Sequence, residues 1–377
     1  MNPIPLALYI HIPWCVRKCP YCDFNSHESR HIPETDYISA LLADLKHDQA
    51  LAQGRAIQTV FIGGGTPSLF SADSYRHLLQ AIHRIVPISG QAEITLEANP
   101  GTFEYRKFKG FQDAGINRLS VGVQSFSEHQ LQALGRIHNR HEAIQAIATA
   151  RELGFERLNI DLMHGLPGQT VEAALADLQQ AMDLQPSHLS WYQLTIEPNT
   201  LFYSKPPTLP DEDDLGDIED AGKSLLQEAG LQQYETSAYA RPGFQCQHNL
   251  NYWRFGDYLG IGAGAHGKIT DPETGTVLRY QKTRLPQDYL NPDKAFCAKE
   301  WSVPAADLPF EFFMNSLRLQ EAIPKSLFEE RTFLTPDMVN QTIAKACHQG
   351  LMTATQHSWQ TTALGQRFLN SLLNLFQ

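Results

Sequence analysis

Long apolar runs are missing from this sequence: no stretch approaches the roughly 20 residues that a membrane-spanning helix needs. The first residues, Met1-Asn2-Pro3-Ile4-Pro5, lack the basic segment and apolar core of a secretory leader. Cytoplasm is the expected compartment. Cysteine is scarce, with 6 among 377 residues, which excludes the dense disulfide framework of small secreted proteins. Cationic excess is absent too. Lys and Arg number 30 against 41 Asp and Glu, a net charge of −11, so long-range attraction to nucleic acid is not expected. What remains is an ordinary globular composition, 42% hydrophobic and 19% charged. The chain is long enough for one large domain and a smaller one.

Half of the few cysteines fall together. Cys15, Cys19 and Cys22 form a C-x3-C-x2-C loop just past the apolar run 6–12. Three thiolates on one loop can hold three irons of a cubane [4Fe–4S] cluster and leave the fourth iron open to a small chelating molecule. The competing reading is structural zinc with His11 or His27 as fourth ligand, although such sites usually carry paired C-x2-C elements. Tyr9, His11, Pro13 and Tyr21 frame the cysteines in the pattern Y-x-H-x-P-x-C-x3-C-x-Y-C. That frame favours the cluster.

Apolar, β-branched runs at 6–12, 59–62, 93–96, 119–123, 158–160 and 189–194 alternate with amphipathic stretches. Ile38, Leu41, Leu42 and Leu45 repeat at helical spacing behind a candidate N-cap at Thr35; Val171, Ala174, Leu175 and Leu178 do so behind Thr170. Six strand–helix units predict a parallel sheet backed by helices. Cys15, the Gly63–Gly65 run, Glu97, Gln124, Asp161 and Thr195 each follow a strand. Barrels collect their sites at that end, whereas an open sheet collects ligands at one switch point. The expected fold is α/β, a partial (β/α)6 barrel of the TIM type over residues 1–235. Residues 236–299 read as a connecting segment, irregular around His248, and 300–377 as a mainly helical domain whose element order resembles a winged-helix module. The acidic run 211–214 reads as a helix N-terminus.

The cysteine pattern resembles the signature of the radical S-adenosylmethionine (SAM) superfamily. Over nearly its whole length the chain is similar to the branch that holds oxygen-independent coproporphyrinogen III oxidase and the HemW-type haem chaperones. The resemblance implies a radical SAM barrel, a [4Fe–4S] cluster on Cys15, Cys19 and Cys22, and SAM beside it. Gly65 and Thr66 match the segment that holds the methionine amino group, and Glu97 in Leu96-Glu97-Ala98-Asn99-Pro100 matches a SAM contact. Tyr9 and Tyr21 belong to the cysteine motif itself. Gln124, Arg136 and Asp161 match residues that serve a second SAM in the oxidase; read alone, each is an ordinary polar residue of a barrel mouth.

The run His248-Asn249-Leu250-Asn251-Tyr252-Trp253 matches the H-N-x-x-Y-W segment of the chaperone branch. An imidazole is a natural axial ligand for haem iron, and Tyr252 and Trp253 offer flat apolar surface to a porphyrin. Cys246 reads as a small buried residue with an assisting role second. Two departures separate the chain from the oxidase: position 24 is Phe where the oxidase motif has a further cysteine, and the oxidase's N-terminal extension has no counterpart. The expected function is a haem chaperone that passes haem to acceptor haemoproteins, respiratory ones among them. Oxygen-independent coproporphyrinogen III dehydrogenase is the alternative. A homodimer and peripheral membrane contact are compatible with either.

Overall fold

Alternation along the strands decides the architecture. In Leu6–Ile12, the side chains of Leu6, Leu8, Ile10 and Ile12 enter one core while Tyr9 and His11 face the other way. The next strand, Ile57–Gly64, sends Val60 and Ile62 into that core and leaves Thr59 and Phe61 opposite. Helices cover the apolar face. Glu34–His47 buries Tyr37, Ile38, Leu41 and Leu45 there, and Ala72–Ile85 buries Tyr75, Leu78, Leu79 and Ile82. The computed structural model describes residues 3–101 and 104–377; Met1 and Asn2, the first two residues of the run read for a secretory leader, lie outside them.

Six parallel strands lie side by side in chain order: Leu6–Ile12, Ile57–Gly64, Ile88–Ala98, Arg118–Gln124, Arg157–His164 and His188–Gln193. They are the six expected units of the barrel. The sheet does not stop at residue 235. A hairpin of Gln232–Glu235 and Ala238–Ala240 lies on the edge of His188–Gln193. At the other edge Asp257–Ile261 pairs parallel with Leu6–Ile12, followed by antiparallel His266–Thr270, Val277–Lys282 and Cys297–Ser302. Among the described residues the main sheet thus has twelve strands. Residues 257–282 are part of its body rather than a connector.

The stretch around His248, expected to be irregular, is a helix, Gln247–Trp253. Thr35 does not cap its helix, which starts at Glu34 behind Pro33 without a side-chain cap. Proline supplies a pre-set φ for that entry instead. Thr170 and Asp211 do cap theirs, accepting from the backbone N–H groups of Ala173 and Asp214. From Leu308 onward the chain is mainly helical around a second core of Phe312, Phe313, Phe328 and Trp359. A small antiparallel sheet of Ile323–Pro324, Ser358–Thr361 and Met352–Ala354 sits among these helices.

Candidate functional site

The strand residues that turn away from the helix-side core line two adjoining cavities. The first, of about 580 Å³, is lined by Cys15, Cys19, Cys22, Tyr21, Gly65, Thr66, Glu97, Gln124, Arg136 and Asp161. Ten of the residues expected from the sequence therefore meet in one place. The second, of about 530 Å³, takes Tyr9 and His248 together with His11, Phe61, Tyr252 and Tyr258. Phe24, Gly64, Glu97 and Asn249 line both.

In the first cavity the cysteine loop is held by backbone. Gly65 N–H donates to Ile12 O at 2.7 Å and Thr66 N–H to Trp14 O at 2.7 Å. A Cβ at Gly65 would collide with the Trp14 backbone, so this glycine first serves to dock the loop and only then lines the cavity. Arg136 ties the mouth together: its Nη2 donates to Asn99 Oδ1 and to Gly122 O, both at 2.6 Å, and its Nη1 lies 3.7 Å from Cys19 Sγ. Burial pushes the Cys15 thiol up, and the neighbouring Cys22 and Cys19 add to that. Among the described residues no three His, Cys, Asp or Glu side chains are gathered as ligands of one metal ion. His11 is spent as a fourth zinc ligand, its Nδ1 meeting Tyr9 OH at 2.9 Å and its Nε2 meeting Asn25 O at 2.8 Å. Three thiols opening onto one cavity fit a multi-iron cluster.

Two carboxyls share this space. Burial, and secondarily the charge of Asp161, pushes Glu97 up to about 8, although its Oε2 accepts from Gly64 N–H at 3.1 Å. Asp161 is raised by the same desolvation, opposed by hydrogen bonds from Asn159 Nδ2 at 2.7 Å and Ser120 Oγ at 3.0 Å. Desolvated carboxyls side by side favour an incoming cation or a hydroxyl-bearing group. Gln124 sits at φ +72, and its Oε1 accepts from Tyr192 OH at 2.7 Å. A left-handed glutamine at the end of a strand is an unusual backbone. It turns the side chain across the cavity floor.

The second cavity is aromatic. His248 is 1% exposed, with its Nδ1 2.9 Å from Thr59 Oγ1 and its ring 5.1 Å from Phe61 and 4.8 Å from Tyr252. Burial pushes its pKa down to about 3, so the imidazole is neutral. In the tautomer whose Nδ1–H donates to Thr59 Oγ1, Nε2 carries the lone pair, and Nε2 is buried without a partner. The donor set and the orphaned nitrogen fit an axial iron ligand. Trp253 departs from the expectation that it shares a surface with Tyr252. Consecutive positions on a helix diverge by about 100°, and Trp253 lines the cysteine cavity, under a cation–π contact from Arg318 at 4.5 Å. Cys246 is not an assisting ligand: its thiol, pushed up to about 12 by burial, donates to Glu93.

Sequence reasoning missed the group that aims His248. Glu93 Oε1 accepts from the backbone N–H of Gln247 at 2.8 Å and of His248 at 3.3 Å, and its other oxygen lies 3.3 Å from Arg118 Nη1. Thr59 and Glu93 are the first residues of two runs recognised as strands, 59–62 and 93–96. Nothing local named their partner.

The radical SAM superfamily model matches residues 9–181 and the HemN C-terminal domain model residues 303–368. Heme chaperone HemW of Escherichia coli (strain K12) is 56% identical over 373 residues, covering 99% of this chain and 98% of that one. Heme chaperone HemW of Haemophilus influenzae is 56% identical over 377 residues, with coverage of 99% and 98%. The structure of coproporphyrinogen III oxidase (HemN) from Escherichia coli superposes with a TM-score of 0.84 at 24% identity, over 99% of this chain and 90% of that one. That likeness shows a shared fold, in agreement with the expected radical SAM barrel. Likeness end to end at more than half identity carries more weight: the chain belongs to the HemW heme chaperone family of the radical SAM superfamily.

Proposed function

We propose that this chain binds haem in the aromatic cavity at His248 and passes it to acceptor haemoproteins. The observation that carries the reading is the His248 Nε2, buried, unpartnered and neutral at the wall of a cavity of about 530 Å³. Cavities of roughly 300–1,000 Å³ hold cofactor-sized ligands. Phe61, Tyr252 and Tyr258 give a porphyrin flat surface, and Phe24, which is 60% exposed, stands where both cavities open. Thr59 and Glu93 hold the imidazole and its helix in place.

In the adjoining cavity Cys15, Cys19 and Cys22 hold a [4Fe–4S] cluster, and SAM lies along Gly65, Thr66 and Glu97. When bound, the cluster supplies one-electron chemistry and an open iron for an amine and a carboxylate. Tyr21 packs against Phe202 and closes one side. Arg136 approaches the Cys19 sulfur, Glu97 keeps a proton near neutral pH, and Asp161 and Gln124 would offer polar groups to the bound ligand. A reducing compartment, the cytoplasm, suits such a cluster. Among the described residues no helix is long and apolar enough to cross a membrane. Acceptors, respiratory haemoproteins among them, a second copy of the chain and a membrane surface are the partners this reading allows.

A haem titration followed by absorption spectroscopy tests it. His248→Ala should shift the haem bands and weaken binding at least about tenfold, with the cluster spectrum unchanged. An anaerobic assay run in parallel should find little SAM-dependent protoporphyrinogen. Robust turnover that survives His248→Ala would install the coproporphyrinogen III dehydrogenase in place of the chaperone.

A further inference from the structure

A third cavity, of about 420 Å³, lies at the opposite end of the strands, beneath the helix Gln247–Trp253. Its walls are the starts of three strands, through Gln58, Gln91 and Arg157, the underside of that helix, through Asn251 and Arg254, and Arg331 from the helix Lys325–Thr332. Three guanidiniums thus meet around one space in a chain of net charge −11. Glu93 is the carboxylate among the lining residues.

The local charge is not balanced. Arg331 makes no hydrogen bond or salt bridge among the described residues, and its Nε is buried without a partner. Of the two carboxylates that act on it electrostatically, the neighbouring Glu330 is exposed and makes no salt bridge to it, and Asp257 is already committed to Arg55 at 2.6 Å and Lys268 at 2.9 Å. Arg157 approaches Glu93 only to 3.6 Å, and its Nη1 is likewise buried and unpartnered. Glu93 cannot serve both, because it already takes the N–H groups of Gln247 and His248 and faces Arg118. Arg254 is held on the rim by Glu321 at 2.8 and 2.9 Å. Guanidinium groups left without acceptors in a polar cavity call for an acceptor with several oxygens.

We propose that this cavity is a binding site for a small oxyanion, a phosphate or a polycarboxylate, held by Arg331 and Arg157 with Arg254 at its entrance. The ligand would tie the C-terminal helices to the underside of the helix that presents His248. The site is built from residues that touch neither of the other two cavities' ligands, so it stands whether or not haem binding does.

The test is calorimetric titration of the full chain, purified anaerobically, with sodium phosphate and separately with sodium citrate. Sodium chloride at matched ionic strength is the reference. One saturable site is expected for at least one anion, with a rise of a few degrees in thermal midpoint at saturation. Binding of phosphate alone or of citrate alone assigns the class. Arg331→Gln should weaken binding at least about tenfold and leave the anion-free midpoint equal or higher, since it removes a buried cation that has no partner. Arg157→Gln is the second variant, and Lys345→Gln, the same charge loss on a remote helix, should bind like the parent chain. Absence of saturable heat with both anions overturns the proposal. So does unchanged binding in both arginine variants, or an anion-free midpoint lowered by Arg331→Gln, which would make Arg331 a structural residue.

Discussion

The two cavities of the barrel interior share Glu97, Gly64, Phe24 and Asn249, yet they are assembled in different ways. The cysteine cavity is filled by successive strand ends, each contributing one or two polar residues in chain order. The His248 cavity is closed by a single helix that arrives late in the chain and locks onto Thr59, 189 residues earlier. Burial acts on both in the same direction, against charge. It holds Glu97 protonated up to about pH 8 in one and His248 neutral down to about pH 3 in the other. A desolvated carboxyl is ready for a cation, and a neutral imidazole is ready for a metal.

Substituting Ser for Cys15, Cys19 or Cys22 should have the largest effect. Iron and sulfide content should fall close to zero, while haem binding persists and Cys297→Ser retains the cluster. If haem binding disappears with the cluster, the two cavities are one site and the comparison breaks.

Glu93→Gln comes next. It leaves Arg118 buried without its counter-charge and weakens the cap on the His248 helix, a loss of about 3–5 kcal/mol by analogy with broken buried pairs. Denaturant unfolding should register that loss, and haem titration should weaken with cluster content intact. Haem affinity equal to the parent's would mean that Glu93 supports the fold and aims nothing.

The pH dependence sharpens the contrast from the other cavity. Burial raises Glu97 from its ordinary 4.5 to about 8, so between those values the folded state binds the extra proton. Stability of the cluster-free protein should fall as pH rises through that window, and Glu97→Gln should flatten the fall. At roughly 1.4 kcal/mol per unit the difference amounts to about 3 kcal/mol once Asp161 coupling is discounted. A profile identical to the parent's would show that Glu97 is ionised throughout.

Trp253→Phe should be the mildest change, with stability altered by less than about 1.5 kcal/mol. It should perturb the paramagnetic resonance of the reduced cluster with SAM and leave the haem bands alone, whereas Tyr252→Ala should do the reverse. The opposite pattern would put Trp253 on the porphyrin side.

Much of the barrel was legible because strand alternation is a local property. The run 6–12 matches its strand residue for residue, and Thr170 and Asp211 cap the helices they precede. Thr35 failed because Pro33 supplies the turn into the helix without a side-chain acceptor. Within 236–299, read as a connecting segment, the strands Asp257–Ile261 and His266–Thr270 lie in a glycine-rich stretch, 260–267. A Cβ at Gly260 would meet the His266 backbone, and one at Gly267 the Tyr280 ring, so these glycines allow close strand packing where composition suggested a loop. The His248 helix was unreadable for a different reason. It spans seven residues, lacks a local side-chain cap, and has its acceptor in Glu93 from a strand some 150 positions earlier.

By itself the sequence determined the cysteine triad, the six strand–helix units and the identity of the residues at their ends, since spacing and alternation are written in neighbouring positions. Only the tertiary structure decided that Tyr9 lines the His248 cavity rather than the cysteine cavity, that Trp253 parts from Tyr252, and that Thr59 holds the imidazole and Glu93 its helix. It also decided that Arg331, without an ion pair among the described residues, and Arg157, with only a 3.6 Å approach to Glu93, line one cavity. Each of those outcomes depends on a partner more than 30 residues away or on which side of a helix a residue falls, and desolvation, which sets the charge of Glu97 and His248, exists only once the chain has closed around them.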